Sequence, residues 1–568
     1  MNRTTRPVLQ ALPIIRPKTS PDETLLRIIQ GIGFAFLLLA LAFPLTSLLL
    51  RAFEDQRGSF VGLRNFAIYV TTPSLVQSAW NSVWTAVVTT CVVIPLAFAY
   101  AYGLTRSCMP GKWIFRAIML LPILAPSLLP ALSLIYLFGN QGMLRGLMGG
   151  GSIYGPWGII GAQIFYCFPA AAIILSVALS TADGRLYEAA EALKASRFRI
   201  FMTVTLPGAM YGLVSASVVV FTLVVTDFGI PKVIGGQFNV LATDVYKQVV
   251  GRQDLNMGAV VGLVLLLPAI LAFLLDRWAH GKRSATMSGR AVAYRPKPRR
   301  GRDIPALLIC LLVASALLVI VAVSVWGSFI RFWPYNLSLT LDNYDFTRFD
   351  TAGWQSVWLS VKLSLITAFI GAALIFVIAY SLERGPARSF LAGPLRFLTT
   401  VPLAVPGLVL GLAYIIFFNH PANPLGIIYG TLAILVLNSI VHFYTVGHLT
   451  AVTAIRQLDP EFEAASASLH VPIWRTFGRV TLPMCLPAIL EILVFLFVSA
   501  MTTVSALIFL YGPDTKPAAI AVVHMDEAGQ VSAAAAMACV ILAISLTAKL
   551  SEIVASRVFI RFTSAWRR

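Results

Sequence analysis

The sequence predicts an all-α integral membrane protein of about twelve transmembrane helices, built as two homologous six-helix halves. Three observations predict it: an apolar composition, a dozen apolar stretches of membrane-crossing length, and a set of repeats offset by roughly 276 residues.

Of the 568 residues, 58% are hydrophobic and only 12% are charged, and the mean hydropathy is +0.82. A soluble domain carries about twice that share of charge. Crossing a hydrocarbon core of ~30 Å takes about 20 apolar residues. Such stretches lie near 28–50, 82–104, 114–138, 156–180, 209–229, 257–276, 304–330, 356–382, 397–418, 427–446, 487–510 and 531–549. The bilayer offers the backbone no water, so each stretch must satisfy its own N–H and C=O groups as a helix.

Charge placement sets the orientation. With the N-terminus inside, 32 of the 43 Lys and Arg fall in inside segments and tails, 10 fall in outside loops, and Lys362 lies within a span. This positive-inside asymmetry puts both termini in the cytoplasm. It also assigns the net charge of +19 to topology rather than to a nucleic acid partner. The run from Ile28 to Leu50 is too long for the core of a cleavable signal, despite the Ala40-Leu41-Ala42 within it, and reads as a retained span. Cys91, Cys108, Cys167, Cys310, Cys485 and Cys539 follow no metal or redox spacing and read as small apolar residues of the bundle.

The repeat runs along most of the chain. Gln77-Ser78-Ala79-Trp80-Asn81-Ser82-Val83 matches Gln355-Ser356-Val357-Trp358-Leu359-Ser360-Val361. Gly62-Leu63-Arg64-Asn65-Phe66 matches Thr340-Leu341-Asp342-Asn343-Tyr344, and Ala101-Tyr102 recurs as Ala379-Tyr380. Pro122 and Pro126 recur as Pro402 and Pro406. Six spans per half is an even number, so the halves run parallel. The expected organisation is a tail, first helix and outer loop (1–80), a first transport domain (81–276) and a basic linker (277–303). A seventh helix with its outer loop (304–356), a second transport domain (357–550) and a basic tail (551–568) follow. The linker contains Arg295-Pro296-Lys297-Pro298-Arg299-Arg300, expected to be extended by its prolines and to touch anionic lipid headgroups.

Between the fourth and fifth spans of each half lies one more duplicate. The first copy is Glu188-Ala189-Ala190 followed by Val204-Thr205-Leu206-Pro207; the second is Glu463-Ala464-Ala465 followed by Val480-Thr481-Leu482-Pro483. Both fall on the cytoplasmic side, where a duplicated loop suits a subunit that grips two identical soluble partners. Asp183 and Asp459, the latter followed by Pro460, are expected N-caps. Each glutamate then lies near the positive end of a short helix, and the paired alanines leave a low-relief face. Phe198, Phe201, Trp474 and Phe477 are expected to supply bulky anchors nearby.

These loops, with the Leu-x-Asn-Phe and Trp-Asn-Ser pieces, resemble binding-protein-dependent ABC importer permeases, and the resemblance covers nearly the whole chain. It implies the type I importer architecture in a fused two-half form, in the bacterial inner membrane. It implies that Glu188, Ala189, Ala190, Leu206 and Pro207, and Glu463, Ala464, Ala465, Leu482 and Pro483, belong to two coupling loops. Each would sit in a cleft of one of two ATPase subunits, with a periplasmic solute-binding protein delivering solute from outside. The chain departs from the family at Lys194 and His470, where glycine is usual. The second copy is also longer, 19 steps from Glu to Leu against 18. Pro472 can supply the bend after the second helix; no equivalent breaker is visible in the first.

No Gly-x-x-x-x-Gly-Lys-[Ser/Thr] loop occurs, so ATP is a cofactor of the partner subunits rather than of this chain. Pro122 and Pro126, with Pro402 and Pro406, are expected to bend a pathway-lining helix in each half. Asp227, near the outer end of the fifth span, is a candidate pathway residue, and Thr503 stands at its place in the second half. Lys362 and Glu491, near span ends, can reach the interface. The six histidines form no ligand cluster, and no metal site is expected. The stretches from Thr226 to Lys232 and from Thr243 to Lys247 look most like permeases for 2-aminoethylphosphonate, with ferric iron permeases as the alternative. A twelve-helix proton-coupled secondary transporter is the alternative from another class; it calls for buried relay carboxylates and no shared loop signature.

Overall fold

The computed structural model describes residues 20–283, 292, 294, 296–386, 389–459 and 461–564. Among them, eight helices are long and apolar enough to cross a membrane, and four sharply bent pairs bring the total to twelve. The first six spans are Pro21–Arg51, Pro73–Arg106, Lys112–Leu124 with Leu128–Phe138, Pro156–Ser180, Arg197–Thr226 and Leu255–Leu275. The second six are Arg300–Ser328, Trp354–Arg384, Ala392–Ala404 with Gly407–Phe418, Leu432–His442 with Tyr444–Arg456, Ile473–Met484 with Leu486–Thr502, and Val531–Phe559. One antiparallel hairpin, β1 (Ile330–Phe332) with β2 (Asn336–Leu339), decorates the loop after the seventh span. The fold is the all-α, two-half membrane architecture expected from the sequence.

The repeated residues do repeated work. Asn65 Nδ2 donates to the carbonyls of Ala52 and Glu54 at 2.9 and 2.8 Å, and Asn343 Nδ2 donates to those of Ser328 and Ile330 at 3.0 and 2.7 Å. Each asparagine thereby fastens the loop that follows its half's first span to the end of that span. Ser82 Oγ accepts from the N–H of Leu241, and Ser360 Oγ from that of Ala518, both at 2.7 Å. These caps satisfy a helix-start donor in each half that would otherwise be buried unpaired.

The prolines break their spans outright instead of bending them gently. The third span turns by 99° and the ninth by 114°. Ala125 and Val405, immediately before Pro126 and Pro406, are both extended. The proline ring excludes its predecessor from the helical region, so the helix stops there and restarts at Leu128 in one half and at Gly407 in the other. Pro122 and Pro402 sit one turn earlier, where their carbonyls accept from the N–H of Ala125 and Val405.

Each break packs against the turn that ends the fifth span of its own half. A Cβ on Gly229 would lie 2.6 Å from Ser127 Oγ; in the second half a Cβ on Gly407 would lie 2.8 Å from Ser505 Oγ. The serine and the glycine have exchanged places between halves, and the close approach is the same. The backbone at Asp227 and at Thr503 is also the same, with φ, ψ of −70°, 128° and −73°, 136°.

The first helix of each half crosses to the other half. Tyr414 Oη donates to Ala40 O at 2.6 Å, and Gln30 Nε2 donates to Ser381 O at 2.8 Å. Reciprocally, Ser133 Oγ donates to Ile320 O at 2.6 Å and lies 2.8 Å from Ser324 Oγ. Elsewhere small residues bring helices close, as at Gly212, where a Cβ would fall 2.3 Å from that of Ala178. Leucines such as Leu267, Leu271, Leu311 and Leu312 face outward, as lipid-facing side chains do.

Candidate functional site

The fifth and eleventh spans begin earlier than the apolar runs suggest. Leu206-Pro207 and Leu482-Pro483, expected within polar loops, lie inside the helices that lead into those spans. A π-helical turn precedes each pair, Phe201–Thr205 in one half and Phe477–Thr481 in the other. A proline ring crowds the carbonyl one turn back, and the wider turn relieves that clash.

The Glu-Ala-Ala segments form two short helices, Gly184–Ala192 and Glu461–Ser468. Asp183 caps the first by accepting from the N–H of Arg185 at 3.0 Å, and Asp459 caps the second by accepting from that of Glu461 at 3.0 Å. Pro460 lies outside the described residues. Both helices end in one Schellman turn. Ala195 N–H donates to Ala190 O and Lys194 N–H to Glu191 O; Val471 N–H donates to Ser466 O and His470 N–H to Ala467 O. The bend expected to need another breaker is made by Lys194 and His470 themselves, at φ of 52° and 55°. The geometry that usually takes glycine is kept, and the residue type is not.

Caps and turns give the true register, a constant offset of 276. The glutamates are 275 apart, so Glu463 lies one position nearer its N-cap than Glu188. One position turns a side chain by about 100° around the helix. Glu188 is exposed, and its structural counterpart is Ala464, whereas Glu463 occupies the place of the buried Tyr187.

That place faces an arginine in both halves. Arg106 and Arg384 close the second and eighth spans, and their Nη2 atoms donate to equivalent carbonyls, Leu179 O at 2.5 Å and Ile455 O at 3.0 Å. In the first half Arg106 lies 4.7 Å from the ring centre of Tyr187. In the second, Arg384 Nε lies 3.0 Å from Glu463 Oε1, an ion-pair contact. Partial burial raises the Glu463 pKa above the ordinary carboxylate value, and the Arg384 charge opposes that rise.

Val292 and Tyr294 of the linker lie on the first helix. Gly184 N–H donates to Val292 O at 2.8 Å, and Val292 N–H donates to Asp183 Oδ1 at 3.3 Å. The Tyr294 ring stands 4.5 Å from that of Tyr187 and 4.7 Å from the Arg106 guanidinium, which is thus held between two aromatic faces. Arg295, at the start of the basic stretch expected on headgroups, is outside the described residues.

Three exposed apolar pairs recur at the offset of 276: Leu186 with Phe462, Leu193 with Leu469, and Phe198 with Trp474. The other expected anchors, Phe201 and Phe477, turn inward. Phe201 packs on Phe98 and Tyr102, and Phe477 on Phe376 and Tyr380. Sequence reasoning missed the arginines and the leucines. Running the Ala101-Tyr102 repeat four residues onward reaches Arg106 and Arg384; for the leucines the 275-residue register of the motif hid the pairing.

Asp227 is buried, and its Oδ2 has no hydrogen-bond partner among the described residues. It lies just before the short helix Gly229–Ile234, beside the break in the third span. The pathway expectation and this position are compatible, since the group sits where the fifth span ends.

The sequence matches the family of binding-protein-dependent transport system inner membrane components twice, over residues 94–284 and 385–559. A putative ferric transport system permease protein of Haemophilus influenzae, FbpB 1, is 30% identical over 82% of this chain and 73% of its own length. The ferric transport system permease protein FbpB of Actinobacillus pleuropneumoniae is 30% identical over 80% of this chain and 68% of its own. The spermidine/putrescine permease PotC of Escherichia coli is 28% identical over 43% of this chain and 92% of its own length. With two copies of the family domain covering most of its length, this chain is a member of the binding-protein-dependent transport system inner membrane components, a multi-pass inner membrane permease in fused two-half form.

Proposed function

We propose that this chain is the complete membrane core of an ATP-driven importer, with both termini in the cytoplasm, and that its cargo is ferric iron. One ATPase subunit docks on each coupling helix, and a periplasmic binding protein loads the opposite face. The carrying observation is the duplicated docking surface. Leu186, Leu193 and Phe198 recur as Phe462, Leu469 and Trp474, each set beside an identically turned helix. Exposed apolar side chains on a short capped helix are what a soluble partner's cleft can bury. Duplication at one offset calls for two copies of that partner. The broken third and ninth spans, at Pro122 and Pro126 and at Pro402 and Pro406, flank the proposed pathway, with Asp227 beside the first break.

The ferric cargo rests on relatives that match most of the chain and bear that substrate in their names. They favour it over 2-aminoethylphosphonate, to which the local sequence resemblance pointed. The test is uptake of radiolabelled ferric citrate and of labelled 2-aminoethylphosphonate by cells expressing the chain with its ATPase and binding protein. Ferric uptake, lost on ATP depletion and in a Leu186→Asp/Phe462→Asp variant, supports the reading. Phosphonate uptake without ferric uptake overturns the cargo. Undiminished association of the ATPase with the double variant overturns the docking surface.

A further inference from the structure

We propose that the two motif glutamates, alike in sequence, have unlike roles. Glu188 faces the docked partner, and Glu463 is a positioning residue that locks the second coupling helix to the membrane bundle through Arg384. This rests on the reading of the two helices as docking elements.

The register shift carries the inference. Measured from its cap, Glu463 stands where Tyr187 stands in the first helix, and both side chains face the arginine that ends the second span of their half. Those arginines are themselves fixed identically, by the carbonyls of Leu179 and Ile455. The two halves therefore share one lock with different keys. In the first, Arg106 is sandwiched between Tyr187 and the linker's Tyr294, and Tyr187 Oη donates onward to Thr205 Oγ1 at 3.1 Å. Among the described residues no carboxylate enters that contact, and Glu188 is exposed. In the second, Arg384 meets a carboxylate, with the two side chains 14% and 27% exposed. An ion pair at that depth is screened little, so Glu463 is held inward and away from the partner's cleft.

The same logic separates how the locks fail. A cation between aromatic faces tolerates neutral changes in the coupling motif, but it depends on Tyr294, which arrives from the linker. An ion pair depends on opposite charges, so it fails when one member is reversed and is partly regained when both are, the Arg384 donation to the Ile455 and Leu458 carbonyls being lost in the exchange.

The test uses the full permease co-expressed with its ATPase subunit in membranes, read by co-purification of the ATPase and by amide exchange of the two helices. Glu463→Arg and Arg384→Glu are each expected to lower ATPase association about tenfold and to speed exchange across 459–471. The exchanged pair Arg384→Glu/Glu463→Arg should restore both in part, above either reversal alone. Glu463→Gln, which keeps the side chain's size in case the reversals misfold, should speed exchange of the second helix and leave 183–195 unchanged. Glu188→Arg should lower association without altering exchange, and Arg106→Glu should not rescue it. An exchanged pair whose second helix exchanges as fast as in either reversal alone, or rescue of Glu188→Arg by Arg106→Glu, overturns the proposal. Exchange reads the lock whether or not the ATPase docks there. If Leu186→Asp/Phe462→Asp leaves association intact while exchange follows the expected pattern, the docking reading fails and the lock stands.

Discussion

Replacing Lys194 or His470 by glycine should tighten the turn that ends each Glu-Ala-Ala helix. Both residues hold φ near +50° (52° and 55°), where a Cβ crowds the following carbonyl. An L-residue there costs about 1–2 kcal/mol. Glycine removes that cost but brings about 0.5–1 kcal/mol of added backbone freedom in the open state. The difference favours glycine by about 0.5–1 kcal/mol, a factor of roughly 2–5 in the local opening equilibrium. The reporters are the N–H groups of Ala195 and Val471, which donate across the turns to Ala190 O and Ser466 O. In purified permease, hydrogen exchange of peptides containing Ala195 should slow by that factor in Lys194→Gly, and those containing Val471 in His470→Gly. Valine at either position should have the opposite effect, because a branched Cβ fits the left-handed region worse. If the glycine variants exchange faster and the valine variants match the parent chain, the turns are not held at positive φ and the reasoning is refuted.

The serine–glycine exchange at the broken spans makes a second prediction. Gly229→Ala should lower the unfolding midpoint, at a cost of about 1–3 kcal/mol, because its new Cβ meets Ser127. Ser127→Gly/Gly229→Ser, which copies the second half's arrangement, should recover most of the loss in the same thermal scan. Asn343→Ala should cost about 1–3 kcal/mol by leaving the buried carbonyls of Ser328 and Ile330 without their donor. Limited proteolysis at the β1–β2 hairpin should speed accordingly. Asp227→Asn keeps the side chain's size and shape while removing the charge; unchanged stability with reduced ferric uptake would place the carboxylate in the pathway, and unchanged uptake would exclude it from that role.

What the sequence alone determined is what depends on composition and spacing. Length, hydropathy and the bilayer's lack of water required helices, and twelve apolar runs gave their number. The recurrence of Asn65 as Asn343 and of Ser82 as Ser360 reported two copies of one design, because a buried cap or loop tie demands the same donor or acceptor each time. The prolines announced a disturbance in the third span of each half, though not one of 99° and 114°. That angle depends on what lies across the break, where a serine and a glycine 102 residues apart in the first half, and 98 in the second, must share one close approach.

The coupling loops show the limit most clearly. Letter matching aligned Glu188 with Glu463, because identical residues are the strongest signal in a repeat. Only the tertiary structure aligned Asp183 with Asp459 and Lys194 with His470, since caps and turns are fixed by hydrogen bonds and φ angles rather than by residue names. The one-residue difference is invisible in composition and decisive in space. On a helix it turns one carboxylate toward an arginine of its own chain and leaves the other facing outward.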